Sequence, residues 1–317
     1  MRNFISVNDV ENLPSLVKSA LEIKKSSYED TQLGKNRTIG LLFLNPSLRT
    51  RLSTQKAAQN LGMNVITFNL NNEGWSIEVN EGVVMDGNAS EHIKEAAAVI
   101  GQYCDIIGIR SFPGLKDRDY DYADVIVNKF REYSGKPILS LESAILHPLQ
   151  SLTDVITIEE LKTKARPKVV LSWAPHVRPL PQAVPNSFAE WMNKTEVDFV
   201  ITHPQGYELA EQFAQGAKIE YDQNKAFEGA DFIYAKNWSS YKEYGKIINS
   251  DTRWMITGDK MKLTNSGKFM HCLPVRRNVV VADEVLDSTD SIVIRQAGNR
   301  EFAAQAVLRE MLKGLQK

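Results

Sequence analysis

Ser47, Arg49, Thr50 and Arg51 fall within five residues, just after an apolar run that stops at Asn45-Pro46. Ser47 stands where a helix N-cap belongs. Backbone N–H groups at a helix start are unpaired and partly positive. A Ser hydroxyl, a Thr hydroxyl and a guanidinium on that same first turn make a cradle for a phosphate. Taken alone, the stretch reads equally as a capped surface helix with solvated arginines. Three other segments supply complementary groups: Arg110, closing the apolar run Cys104–Ile109; His147-Pro148-Leu149-Gln150, after Pro137–Leu141; and His271-Cys272-Leu273-Pro274, after Lys268–Met270. Each lies where a predicted strand passes into a loop or helix. Open parallel sheets bind ligands at the carboxyl ends of their strands.

The elements that must position these groups alternate along the chain, short β-rich runs with longer helical ones, which argues for parallel α/β layers. Thr38–Leu44, Asn64–Asn69, Cys104–Ile109 and Pro137–Leu141 form one strand series. Pro167–Trp173, Val197–Thr202, Asp231–Ala235 and Lys268–His271 form a second. Between strands of the first lie helical stretches such as Thr50–Leu61, closed by Gly62, and Glu91–Tyr103. The expected fold is α/β: two doubly wound parallel-sheet domains, joined near 147–163, with the active site in the cleft between them. From Arg300, which is read as opening the last helix, apolar residues recur at helical spacing to Leu315.

A length of 317 residues suits two ordinary domains. Net charge near −1 gives no general attraction to nucleic acid or membrane. Cys104 and Cys272 are the only cysteines, so no disulfide framework is implied, and Cys104 reads as a small buried hydrophobe. The N-terminal segment lacks a signal-peptide core, and no apolar run approaches a membrane span. The chain therefore reads as cytoplasmic. No G-x-G-x-x-G follows the first strand and no G-x-x-x-x-G-K-[ST] occurs, which argues against a dinucleotide enzyme or a P-loop NTPase. The five histidines are scattered singly, and no metal-ligand spacing appears.

The set Ser47-x-Arg49-Thr50-Arg51, His147-Pro148-x-Gln150 and His271-Cys272-Leu273-Pro274, in that order, resembles the carbamoyltransferase family, and the resemblance spans the chain. It implies a carbamoyl phosphate-binding domain over 1–148, an acceptor-binding domain over 149–299, and a final helix, 300–317, that packs back on the first. It implies that Ser47, Leu48 (through its backbone N–H), Arg49, Thr50, Trp75 and Arg300 hold phosphate. Arg110, His147 and Thr50 donate to the carbamoyl oxygen, where negative charge develops. Gln150 takes the carbamoyl nitrogen, and Cys272 and the Leu273 carbonyl lie near the attacking amine. Unaided by the resemblance, Trp75 is an ordinary half-buried aromatic and Arg300 a surface ion-pair partner. A covalent role for Cys272 needs a neighbouring base; His271 is adjacent, but strand neighbours face opposite ways. Binding and orientation then supply most of the rate. No cofactor and no metal are implied.

The acceptor follows from a departure. Plain ornithine carbamoyltransferases carry Asp-x-Trp-x-Ser-Met-Gly after this strand; here Lys236-Asn-Trp238-Ser-Ser-Tyr stands instead. A lysine repels the α-ammonium of ornithine and attracts its α-carboxylate, so an Nα-acylated ornithine fits. The bland alternative is a surface lysine. Trp173-Ala-Pro-His176-Val-Arg178-Pro and Val275-Arg276-Arg277-Asn278 resemble the acylornithine branch. By that resemblance His176 and Arg276 contact the α-carboxylate and Glu142 the amide N–H or acceptor chain. Ser90 stands where the acetyl branch has a glutamate, and Val280 where it has a lysine; the proline of the succinyl branch is absent at 90. A glutamate there repels a succinyl carboxylate, whereas serine can donate to it, and Arg178 and Arg276 suit a dicarboxylate. The expected partners are carbamoyl phosphate and N-succinyl-L-ornithine, with N-acetylornithine the alternative. A homotrimer with Ser90 and Trp75 serving a neighbour's site is implied by the family. A non-catalytic binding module and an aspartate-specific enzyme are the competing readings. The second lacks its Ser-x-Lys-x-Gly loop.

Overall fold

Apolar runs of five or six residues, each bounded by turn residues, become parallel strands in the computed structural model, which describes residues 1–316. In the first unit β1 (Thr38–Phe43), β2 (Asn64–Asn69), β3 (Ile106–Arg110) and β4 (Ile138–Glu142) pair in the order β2-β1-β3-β4, all parallel. β1, β3 and β4 are buried over nearly their whole length, while the edge strand β2 is half-exposed. Strands buried on both faces need no alternation, which is why they read as continuous apolar runs. Helices α1 (Leu13–Lys25), α2 (Leu48–Asn60), α3 (Ile93–Tyr103) and α4 (Val125–Tyr133) complete the layers. Cys104 closes α3 rather than opening a strand, and its sulfur fills the space that a side chain at Gly40 of β1 would need.

Strand order reverses between β1 and β3, so the ligand-binding end of this sheet lies at Phe43 and Arg110, which are register partners. The β1–α2 turn is shaped at both helix ends. Ser47 caps the start. At the far end Gly62 N–H bonds the Gln59 carbonyl and Met63 N–H that of Ala58, a Schellman stop. Gly62 has φ +80°, and a Cβ there would lie 2.0 Å from the Thr31 carbonyl oxygen, so only glycine serves.

The second unit holds β5 (Lys168–Trp173), β6 (Asp198–Thr202), β7 (Lys218–Glu220), β8 (Phe232–Lys236) and β9 (Lys268–Met270), ordered β9-β8-β5-β6-β7 and parallel. The order reverses between β5 and β8, which end at Trp173 and Lys236, again register partners. This series has five strands, not the expected four. β7 is three residues long and largely exposed, so it carries no apolar signal. Val170, Ile233 and Phe269 pack with Phe227, Val280 and Val281 in one core cluster. Phe188, on α6 (Ala183–Met192), stacks on Tyr234 at 4.3 Å between centroids.

The units divide inside helices. α5 (Pro148–Leu161) passes from the first to the second between Leu149 and Gln150, and α7 (Val293–Leu315) returns between Asn299 and Arg300. Leu115–Arg118 belongs to the second unit, unlike the sequence division. Arg118 lies over the Tyr241 ring at 5.0 Å, and the Leu115 carbonyl lies against Gly245. α7 starts seven residues before the helix expected from Arg300, and Gly298 lies within it. A mid-helix glycine costs about 1 kcal/mol; Gln296 and Asn299, buried and hydrogen-bonded in the extra turns, offset that. From Arg300 onward α7 belongs to the first unit, with Glu301 and Gln305 accepting from Asn60 at 3.0 and 3.1 Å. Among the described residues no helix is long and apolar enough to cross a membrane.

Candidate active site

At the start of α2 the Ser47 hydroxyl accepts the Thr50 N–H at 3.3 Å, with extended backbone at the cap. The preceding N–H groups have no intrahelical acceptor and face outward. Thr50 is buried, and its hydroxyl accepts from an Arg300 guanidinium nitrogen at 2.7 Å. Arg300 sits in the third turn of α7 rather than at its start. Two guanidinium-bearing residues, Arg49 and Arg300, thus share the first turn of α2, although 251 positions separate them in the chain.

Arg110 ends β3, and Glu142 ends β4 opposite it. The Arg110 guanidinium bonds the Glu142 carboxylate and lies over the Phe112 ring at 4.5 Å. The same carboxylate oxygen is 3.4 Å from His147 Nε2. All three side chains are buried. Pro148 follows His147 at the first helical position, where its missing N–H costs nothing. Glu142, assigned from the resemblance to the acceptor, therefore grips the two donors assigned to the carbamoyl oxygen. Removing one partner of such a buried pair typically costs about 3–5 kcal/mol, because the other charge is stranded.

Trp75 and Ser90 belong to a different surface element. Trp75 is 60% exposed and donates its indole N–H to Glu91 at 2.8 Å. Ser90 is exposed, and its backbone N–H bonds the Ser76 carbonyl at 3.1 Å. Ile77–Glu78 and Glu91–His92 pair in parallel beside them. These bonds run within residues 75–92 and do not reach the Ser47–Thr50 turn.

In the second unit the loops after β5 and β8 are stitched together. Asn237 bonds the Ala174 carbonyl at 2.7 Å, and Trp173 bonds that of Trp238 at 3.0 Å. This brings His176 beside Lys236, and Arg276 reaches it from the loop after β9. Arg276 Nε donates to His176 Nε2 at 3.2 Å, and His176 Nδ1 lies 3.0 Å from the Arg178 carbonyl oxygen. Nδ1 also lies 3.1 Å from the Arg178 N–H; because Nε2 accepts from Arg276, a neutral ring carries its proton on Nδ1, which then donates to the Arg178 carbonyl. Burial, then Lys236, Arg276 and Arg178, push the His176 pKa below its ordinary value, against an opposing bond to the Arg178 carbonyl. His271 is fully buried, and desolvation, with the Lys236 charge adding to it, lowers its pKa to about 3. It is neutral at any working pH. Among the described residues, no carboxylate forms an ion pair with Lys236, Arg178 or Arg276.

Cys272 is half-exposed, and Leu273-Pro274 is a cis peptide. The buried Tyr234 hydroxyl faces Cys272 and Asp154. Gln150 donates to Asp154 at 2.8 Å. Asp154, Tyr234 and Gln296 were not singled out in the sequence; the signal for Asp154 is its i, i+4 spacing from Gln150.

The first unit therefore offers a helix N-terminus and two guanidinium groups to a phosphate, with Arg110 and His147 as further donors. The second offers three cations around a neutral histidine to a carboxylate-rich ligand. Comparisons with known proteins agree in kind. The family models described as aspartate/ornithine carbamoyltransferase, carbamoyl-P binding domain, and the corresponding Asp/Orn binding domain match residues 2–160 and 181–311. N-succinylornithine carbamoyltransferase of Bacteroides thetaiotaomicron is 57% identical over 318 residues, covering 100% of both chains. N-acetylornithine carbamoyltransferase of Xylella fastidiosa is 36% identical, covering 92% of this chain and 93% of its own. Among solved structures, a glutamate-to-serine variant of N-acetyl-L-ornithine transcarbamylase complexed with carbamyl phosphate and N-succinyl-L-norvaline matches with TM-score 0.92 at 33% identity, covering 98% of this chain and 100% of that one.

Proposed function

The chain belongs to the aspartate/ornithine carbamoyltransferase family, and we propose that it transfers the carbamoyl group of carbamoyl phosphate to the δ-amine of N-succinyl-L-ornithine, giving N-succinyl-L-citrulline and phosphate. The neutral amine attacks the carbamoyl carbon. A C–N bond forms, the C–O bond to phosphorus breaks, and the leaving phosphate carries away the electron pair and accepts the amine proton. Ser47, the Leu48 N–H, Arg49, Thr50 and Arg300 hold the phosphate, and Trp75 of a neighbouring copy closes over it. Arg110, His147 and Thr50 stabilise charge on the carbonyl oxygen, with Glu142 orienting the first two. Gln150 accepts from the carbamoyl nitrogen, and Cys272 and the Leu273 carbonyl flank the incoming amine. His176 holds Arg276. Lys236, Arg276 and Arg178 take the acceptor's carboxylates, and Ser90 lies by the succinyl end.

The observation that carries this reading is the cationic trio around His176, with no carboxylate paired to it among the described residues. A free α-ammonium is repelled there. N-succinylornithine brings two carboxylates to it and N-acetylornithine only one, which favours the former. Support also comes from the identity to the Bacteroides enzyme, well above that to the Xylella one. The homotrimer that the family resemblance implies is part of the same proposal. So are a cytoplasmic setting and a step in arginine synthesis. The test is product formation from carbamoyl phosphate with ornithine, N-acetylornithine and N-succinylornithine in parallel. Turnover of the succinyl substrate alone is expected. Turnover of free ornithine overturns the role of Lys236, and no turnover with any acceptor leaves the binding-module reading.

A further inference from the structure

Asp154 is a carboxylic acid with no exposed surface, one helical turn beyond Gln150 on α5. Gln150 Nε2 donates to its Oδ1 at 2.8 Å, and Gln296 Nε2, from α7, donates to the same oxygen at 2.7 Å. The other end of the Gln296 amide is used as well: Oε1 accepts the His271 backbone N–H at 3.1 Å. Gln150 and Gln296 are nearly as buried as Asp154, and the Tyr234 hydroxyl is close to both Asp154 and Cys272. One carboxyl group therefore touches the residue assigned to the carbamoyl nitrogen. It also reaches, through Gln296, the backbone of the His271-Cys272-Leu273 segment.

A glutamine amide has a donor end and an acceptor end of nearly equal size, so the partner at one end decides which end faces a ligand. Asp154 Oδ1 can only accept here. Both NH2 groups must turn toward it, and both amide oxygens must turn away. For Gln296 the oxygen so aimed meets the His271 N–H. For Gln150 it is the atom that accepts from the carbamoyl NH2. With the amide reversed, Gln150 would present N–H to N–H. The site would then lose the acceptor that, opposite the donors Arg110, His147 and Thr50, marks the NH2 side of the carbamoyl group.

We propose that Asp154 is a positioning residue that fixes the amide polarity of Gln150 and Gln296, and so sets the orientation of the bound carbamoyl group. The inference rests on the carbamoyl-transfer reading above and sharpens it. Asp154→Ala should lower kcat/KM for carbamoyl phosphate by roughly tenfold to a hundredfold, as expected for a buried polar pair left half-made. Asp154→Asn keeps an acceptor oxygen of the same shape and should recover most of that loss. Because Asp154 acts through Gln150, adding Gln150→Ala to Asp154→Ala should cost little more, whereas independent roles would multiply. The side-chain NH2 protons of both glutamines, followed by NMR, should exchange slowly in the wild type and in Asp154→Asn, and fast in Asp154→Ala. Multiplying losses, an Asn variant as impaired as Ala, or unprotected amides in the wild type each overturn the proposal. The exchange measurement needs no turnover and the Asn variant keeps the core filled. Failure of the wild type to carbamoylate any acceptor therefore counts against the function alone.

Discussion

The two clusters differ in how their charge is balanced. In the first unit Arg110 and His147 converge on Glu142, a buried carboxylate supplied by the same sheet. In the second, Lys236, Arg276 and Arg178 surround a neutral His176 with no carboxylate of their own among the described residues. The contrast recurs within one dipeptide, since Arg277, next to Arg276, is clamped by Asp283 and Asp287 at 2.8 and 2.6 Å. A balanced cluster holds its geometry with or without ligand. An unbalanced one is completed only when a ligand brings negative charge. The first arrangement suits a group on which charge appears only during reaction, and the second a substrate whose charge is permanent.

The largest effect should come from breaking the phosphate side. Arg49→Ala removes a guanidinium from the α2 N-terminus while leaving the Ser47 cap in place. Charge-assisted contacts of this kind exceed ordinary hydrogen bonds about twofold, and loss of carbamoyl phosphate affinity by about a hundredfold or more is expected by calorimetry. Unchanged affinity would remove the Ser47–Thr50 turn from the site. Next comes reversal of the unbalanced cluster. Lys236→Asp should transfer preference from the acylated acceptor toward free ornithine, by roughly a hundredfold in the ratio of kcat/KM values, the scale of a desolvated charge exchanged for its opposite. A ratio unmoved in kinetic comparison would mean that Lys236 faces solvent.

How far these clusters could be read in advance follows from their range along the chain. Ser47 to Thr50 is one helical turn, and caps obey local rules, so its geometry was legible. Lys236 was legible as a departure from a known segment, at a strand end where ligands bind. Glu142 was found but given another partner, because its bond to Arg110 depends on the β3–β4 register, which no local pattern specifies. Asp154 and Gln296, separated by 142 residues, were missed for the same reason. Arg300 was assigned to phosphate but placed at a helix start, because Gly298 reads as a boundary when its burial context is unknown. β7 was missed because an exposed three-residue edge strand has no hydrophobic signature.

Ser90→Glu tests the far end of the acceptor. A carboxylate in place of the exposed serine should weaken use of N-succinylornithine relative to N-acetylornithine by about tenfold, since exposure screens the repulsion. Equal kcat/KM ratios in mutant and wild type would show that Ser90 does not sense the acyl group. The effect should shrink as salt is raised, whereas that of Lys236→Asp, in a more enclosed setting, should persist.

The smallest effect concerns stability and reports on the burial of His271 beside the unbalanced cluster. Burial first, and then the Lys236 charge, hold His271 near a pKa of about 3, against an ordinary 6.5. Between those values the unfolded chain binds a proton that the folded chain refuses. Stability must then fall as pH drops below 6.5, with a limiting slope near 1.4 kcal/mol per pH unit for a single group. At about pH 6 the loss is about 0.8 kcal/mol. His271→Gln removes the titrating group while keeping a polar side chain and the backbone N–H that Gln296 accepts. Urea midpoints measured between about pH 5 and 8 should therefore decline less steeply toward acid in the variant than in the wild type, whatever their offset at pH 8. Coincident slopes would mean that His271 takes up its proton normally, and the claim that burial keeps it neutral in the folded chain would fall.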